Sequence, residues 1–284
     1  MMGNKYTLLL TDLNILEREL VEKERSQATI EKYLHDAKEF ILYLDGRELT
    51  KTEALGWKKA LVDEGYSPST VNCRIAAINK LFCVTGYEEF RLSAIRVQRK
   101  MFRDDHRDLN IHEYRRLVDA ARKQGGGRRL MYLIETICAT GIRVSEVKYI
   151  TIEAAQNGCA QVSLKGKVRT ILIPEKLSNK LLRFAKQQGI LSGEIFVTKS
   201  GKSLSRGQIW AMMKSICASA NVEASKVFPH NLRHLFARIF YQESQDIVML
   251  ADVLGHSDLS TTRIYLISTG SRHRTYLEKL CLVC

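Results

Sequence analysis

The chain lacks the features that would place it in a membrane, in a disulfide-stapled scaffold or in a zinc ribbon. No apolar run approaches the roughly 18–20 residues of a membrane span. The opening MMGNKYTLLLTDLN holds too short an apolar segment for a secretory signal, so a cytoplasmic location is expected. Seven cysteines, at 73, 83, 138, 159, 217, 281 and 284, are odd in number and scattered. They do not form a disulfide framework, and most sit in apolar helical settings where reduced, buried thiols are the expectation. Cys281 and Cys284 make one C-x-x-C, without the second pair of that spacing that a zinc site needs. No internal repeat or low-complexity tract is present.

Acidic residues are in deficit, 31 against 44 Lys+Arg, for a net charge of +13. The imbalance is local. Residues 1–90 hold 12 basic against 15 acidic residues, whereas residues 91–284 hold 32 against 16. A positive field confined to the C-terminal two-thirds points to a polyanionic partner, nucleic acid or an anionic membrane surface. With 284 residues and 45% apolar content, the chain can bury two domain cores.

Apolar spacing divides it accordingly. Residues 6–24 read as an amphipathic helix, a second runs from Ser26 to Gly46, a third over about 51–64, and a fourth over about 67–85, opened by Ser67-Pro68 and stopped by Gly86. Four helices with short connections predict a bundle over residues 1–90. Residues 91–107, with six Lys+Arg against two Asp and little periodicity, read as a basic interdomain linker. The second domain, 108–284, opens on an Asn110 cap with Glu113 three residues on, leading a helix to about Lys123. A largely apolar helix over 128–139 stops at Thr140-Gly141, and another begins between Arg143 and Ile150. The β-branched run Gln161–Pro174, with Gly166 at its turn, predicts a hairpin. Helices follow at 175–188 and 205–220, with a short strand at Ile195–Val197 between them. The fold class expected is mainly α, an N-terminal four-helix bundle followed by a mostly helical α+β domain with a small hairpin.

The candidate chemistry lies in Phe228-Pro-His-Asn-Leu-Arg-His234 and Leu254-Gly-His-Ser-Asp-Leu-Ser-Thr-Thr-Arg-Ile-Tyr265. On a helix, His230, Arg233 and His234 at i, i+3 and i+4 share one face, with Leu232, Leu235 and Phe236 supplying the buried stripe. Attack on a phosphodiester spreads negative charge over the non-bridging oxygens, and two guanidiniums, Arg143 and Arg233, suit that charge. Glu146 is placed to orient Arg143. A hairpin lysine, Lys165 or Lys167, could protonate a leaving 5′-oxygen, His230 could accept the nucleophile's proton, and His256 could donate to the phosphate. Tyr265, a poor nucleophile alone, gains force from cations and a base around it.

The runs Ala139-Thr-Gly-Ile-Arg-Val-Ser-Glu146, Lys165-Gly166, His230-Asn-Leu-Arg-His234 and Leu254 to Tyr265 resemble, in order and approximate spacing, the catalytic boxes of the tyrosine site-specific recombinases. Thr29-Ile-Glu-Lys-Tyr33 and Ser67-Pro-Ser-Thr-Val71 resemble that family's helical, SAM-like core-binding domain, and the whole has a Xer-like two-domain layout. The resemblance implies Tyr265 as nucleophile, Arg143 and Arg233 as phosphate clamp, Lys165 as general acid, His230 as proton acceptor and His256 as a further phosphate contact. Leu164 departs from the glycine that many members carry there. It also implies double-stranded DNA as substrate, a 3′-phosphotyrosyl intermediate with neither metal nor nucleotide cofactor, a homo- or hetero-tetramer on DNA, and room for an accessory directionality factor. Residues 268–284 would form a short helix presenting Tyr276, Leu277 and Leu280, either to a neighbouring protomer or to their own domain. Competing readings are a DNA-binding homologue without strand exchange, a type IB-like topoisomerase, and a zinc hydrolase, which lacks the HExxH glutamate because Asn231 occupies its place.

Overall fold

The computed structural model describes residues 6–96, 108–124, 128–164, 167–266 and 279. Two compact units divide the chain, Met1–Arg99 and Lys100–Cys284.

The first unit consists of α1 (Asp12–Glu22), α2 (Gln27–Leu44), α3 (Lys51–Asp63) and α4 (Pro68–Thr85). Their ends follow from local chemistry. Thr50 and Ser67 accept from the backbone N–H groups of Glu53 and Thr70, Pro68 fills the first turn of α4, and Gly86 ends it at φ +80°. The expected helix over 6–24 begins only at Asp12, although Leu8 is buried. The extended segment before α1 keeps Leu8 in the core while the Tyr6 carbonyl accepts from Leu49 N–H at 2.8 Å, so apolar spacing runs past the helix start. Leu16, Leu20, Phe40, Trp57, Ile78 and Phe82 fill the core, with Phe40 edge-on to Trp57 at 5.1 Å.

Residues 91–96 lie against this bundle. The Asn79 carboxamide donates to the Leu92 carbonyl at 2.8 Å and accepts from its N–H at 2.7 Å, and Asn72 does the same for Ile95 at 3.0 and 2.7 Å. Each asparagine thus imitates one rung of a β-ladder, and the buried Leu92 side chain joins the core.

The second unit opens with α5 (Ile111–Lys123), headed by a reciprocal Asn110–Glu113 capping box at 2.8 and 2.9 Å. Then come α6 (Arg128–Thr140), a 3₁₀ turn (Val144–Tyr149), α7 (Ile152–Asn157), an antiparallel hairpin of β1 (Cys159–Leu164) and β2 (Lys167–Leu172), α8 (Glu175–Gln187), α9 (Arg206–Ser215), α10 (Pro229–Ser244), α11 (Ile247–Leu254) and α12 (Leu259–Leu266). Cys159 faces Leu172 and Leu164 faces Lys167 across the sheet. The core gathers Leu117, Leu133, Ile137, Leu181, Phe196 and Leu232, and α10 packs on α6, α11 and α12.

The mainly α class with one small sheet is therefore observed, with local differences. The short helix α7 was not expected. It is opened by Thr151, whose hydroxyl accepts from Ala154 N–H, a cap without a long apolar run behind it. Ile195–Val197 forms no strand, because Glu194 and Val197 make only isolated bridges to Thr151 and Ser203. The helix expected to reach residue 220 leaves α geometry at Ser215, yet Ile216, Cys217 and Ala220 stay buried, which preserves the helical apolar spacing. Among the described residues, no helix is long and apolar enough to cross a membrane.

Candidate active site

The site forms where the turn after α6, the hairpin and the α11–α12 junction meet the first turns of α10. At the first, Gly141 adopts φ +62°, and a Cβ there would collide with the Phe236 ring of α10. Glycine both permits the turn and lets it touch α10, which delivers the Gly141 carbonyl to Arg233 Nη1 at 2.5 Å. Gly141→Ala should destabilise the protein by about 2–4 kcal/mol, from left-handed strain plus overpacking, and a urea midpoint will measure it. Two residues on, Arg143 is fixed by Glu146. Its N–H donates to Oε2 at 2.8 Å and its Nη1 to Oε1 at 3.0 Å. Glu146 is 1% exposed and the Arg143 side chain 41%, so a buried carboxylate aims a guanidinium that remains open to a ligand.

On α10, Pro229 starts the helix and Leu232 and Leu235 enter the core, so His230, Arg233 and His234 share the opposite face. Arg233 is 1% exposed. Such burial lowers the pKa of its guanidinium, but four of its five N–H groups are matched: Nη1 to Gly141 O, Nη2 to Leu254 O and to His256 Nε2, both at 2.9 Å, and Nε to Tyr265 Oη at 3.4 Å.

The His256 tautomer follows. A guanidinium can only donate, so Nε2 must accept, and Nδ1 carries the hydrogen that goes to Thr262 Oγ1 at 2.9 Å. Burial first, then Arg233, Arg143 and Arg169, push the His256 pKa down from 6.5 to about 4. The folded state resists protonation that the unfolded chain accepts. This contribution to stability is therefore whole above about pH 6.5 and lost as pH falls to about 4. A His256→Asn variant should lose less Tm across that window than the wild type, which paired melting curves will show.

Tyr265, on α12, is buried against three imidazoles. Its ring centroid lies 4.3 Å from His234, 6.0 Å from His230 and 5.7 Å from His256, the last nearly parallel at 10°. An Arg233 N–H is directed at the phenol oxygen from 3.4 Å. Arg143, His230, Arg233 and Tyr265 line a cavity of about 500 Å³, joined by Arg206 and Trp210 of α9. Of the six residues singled out in the sequence, Arg143, His230, Arg233, His256 and Tyr265 are thus brought together. Lys165 lies outside the described residues.

Sequence reasoning passed over Arg169. Its Nη2 lies 3.4 Å from Glu146 Oε2, and its Nη1 donates to Leu254 O, the carbonyl that Arg233 also uses. Gly255, at φ +65°, leaves room for it, since a Cβ would sit 2.5 Å from Arg169 Cδ. Burial lowers its pKa to about 10, against the pull of Glu146. Strand alternation held the signal: Val168 and Leu172 are exposed, so Arg169 and Ile171 must face inward, and a charge on the inward register needs a partner. His234 was noticed on the right face, but its ring packing on Tyr265 is a tertiary contact that spacing does not reveal.

Comparison with known proteins agrees with this geometry. The profile of the phage integrase family matches residues 107–272, and that of the phage integrase N-terminal SAM-like domain matches residues 16–85. The chain is 28% identical over 267 residues to tyrosine recombinase XerA of Pyrococcus furiosus, covering 91% of this chain and 90% of that protein. To tyrosine recombinase XerD of Vibrio cholerae it is 30% identical over 218 residues, 72% of each. Among solved structures, XerH site-specific recombinase bound to difH substrate aligns with a TM-score of 0.69 at 20% identity, over 91% of this chain and 82% of that one. A lambda integrase dimer bound to a COC′ core site aligns at 0.72 and 17%, over 90% and 94%. The match over most of the second unit, joined to a phenol clasped by a buried arginine, leads to one assignment: the chain belongs to the phage integrase family of tyrosine recombinases, whose reaction is DNA strand cleavage and religation.

Proposed function

We propose that Tyr265 is the nucleophile of a site-specific recombinase acting on double-stranded DNA. The observation that carries this is the contact of Arg233 Nε with Tyr265 Oη inside a ring of imidazoles, because it joins a phosphate-binding cation to the attacking oxygen. Tyr265 Oη attacks the phosphorus, its proton passes to His230, and the P–O5′ bond breaks. Lys165, the residue implied by the family resemblance, protonates the departing 5′-oxygen. A 5′-hydroxyl from the partner strand then attacks the 3′-phosphotyrosyl link and releases the tyrosine. Phosphoester energy is kept in the link, so the step needs no nucleotide.

Arg143 and Arg233 hold the non-bridging oxygens. Arg143 is open to the cavity, and Arg233 is preorganised by Gly141 O and Leu254 O, so neither must reorganise as charge develops. His256, its Nε2 accepting from Arg233, buttresses that guanidinium, and it donates to the phosphate only when the pair opens and Nε2 takes up a proton. The protein works in the cytoplasm as a homo- or hetero-tetramer on DNA, with an accessory directionality factor setting the outcome. DNA of the relatives' complexes supports the partner class. The test is a nicked duplex carrying the recombination site, on which the released fragment cannot religate. Peptide mass spectrometry of the trapped adduct should find the nucleotide on Tyr265, and an adduct on any other residue would overturn the assignment.

A further inference from the structure

The chain's two tryptophans are placed in opposite ways. Trp57 is buried in the first unit, whereas Trp210 is 53% exposed and lines the cavity of the nucleophile. Ile209 and Met213 root α9 in the core, which leaves Arg206, Trp210 and Lys214, at i, i+4 and i+8, as a stripe of cation, aromatic, cation along the helix. The Lys214 ammonium lies 5.1 Å from the indole centroid and donates to the Ala224 carbonyl, so the ring is held by a cation that is itself tethered.

Cations alone would suffice for phosphate. An indole adds a flat apolar face, which matches the face of a base. In an intact duplex those faces are covered by neighbouring bases, so this plane finds a partner only when a nucleotide leaves the stack. Strand exchange makes such a nucleotide, because the end freed by cleavage must leave its own helix to reach the other.

We propose that Trp210 is a stacking platform for the unpaired nucleotide beside the cut, with Arg206 and Lys214 on the adjoining phosphates. This rests on the recombinase reading above and adds a contact to the displaced strand. Two mixed-sequence duplexes test it, one sealed and one carrying a short single-stranded gap. Indole emission is followed in wild type and in Trp210→Leu, whose difference isolates Trp210 because Trp57 is untouched, and gel shift reports binding independently. The gapped duplex should quench Trp210 emission strongly and the sealed one weakly. Trp210→Leu should bind the gapped duplex about 10-fold to 100-fold less tightly while binding the sealed one as before, and Trp210→Phe should recover part of the difference. Gapped DNA that binds without changing the indole signal, or binds the leucine variant equally well, overturns the platform and leaves the recombinase reading standing. Failure of both duplexes to bind at low salt would remove the two together.

Discussion

Replacing Tyr265 with phenylalanine is expected to abolish the covalent protein–DNA adduct on nicked site DNA while leaving duplex binding within a few-fold of wild type. The substitution removes one oxygen and little else. The phenyl ring keeps its packing on His234 at 4.3 Å and its parallel placement on His256 at 5.7 Å, and the hydrogen bond lost is a long one, 3.4 Å from Arg233 Nε. Its cost in stability should stay within about 1 kcal/mol. Rate is another matter, because phenylalanine has no lone pair to attack phosphorus, and accelerations of order 10⁶ or more over the uncatalysed reaction depend on a positioned nucleophile. Denaturing electrophoresis separates the two effects, since an adduct survives detergent and a bound complex does not. A residual adduct in the phenylalanine protein would assign the chemistry to another residue. Parallel loss of native binding and adduct would instead make Tyr265 a structural residue.

Much of this site is legible in one dimension because it is built from short-range relations. His230, Arg233 and His234 occupy one helical face by spacing alone, and the pairing of Arg143 with Glu146 spans three residues. Asn110 and Glu113 announce their helix in the same way. What the sequence did not disclose depends on meetings between distant segments. Arg169 comes to Glu146 and to the Leu254 carbonyl only because the hairpin folds over the 3₁₀ turn and the α11–α12 junction, and Gly255 matters only as space for that side chain. Element ends were misjudged for a related reason. Leu8 before α1 and Ala220 after α9 are buried from non-helical backbone, and burial, not helicity, is what apolar spacing records. The bundle and the second core were plain from periodicity, while Ile195–Val197 shows that a β-branched and aromatic triplet needs a neighbour to become a strand.

Arg233 should prove the least replaceable side chain of the site. Its guanidinium satisfies Gly141 O, Leu254 O, His256 Nε2 and Tyr265 Oη from within the core. Alanine would leave a cavity and strip the Gly141 carbonyl of its Arg233 donor at about 1–3 kcal/mol, while Leu254 O keeps Arg169, and that is a large share of a typical folding free energy of roughly 5–15 kcal/mol. Lysine and glutamine are the informative variants. Lysine keeps the charge but concentrates it at one ammonium that cannot span four directions, so adduct formation should fall about 10³-fold or more. Glutamine removes the charge, and with it one of the cations that depress His256, whose pKa should climb from about 4 toward its ordinary 6.5. Imidazole titration by NMR reads that rise, and a Tm kept close to that of wild type separates the lost charge from lost packing, which would also expose the imidazole and raise its pKa. A lysine variant that still forms the adduct within about ten-fold of wild type would show that the phosphate is held elsewhere. Unchanged His256 titration in the glutamine variant would mean that burial, with Arg143 and Arg169, keeps that imidazole neutral without Arg233.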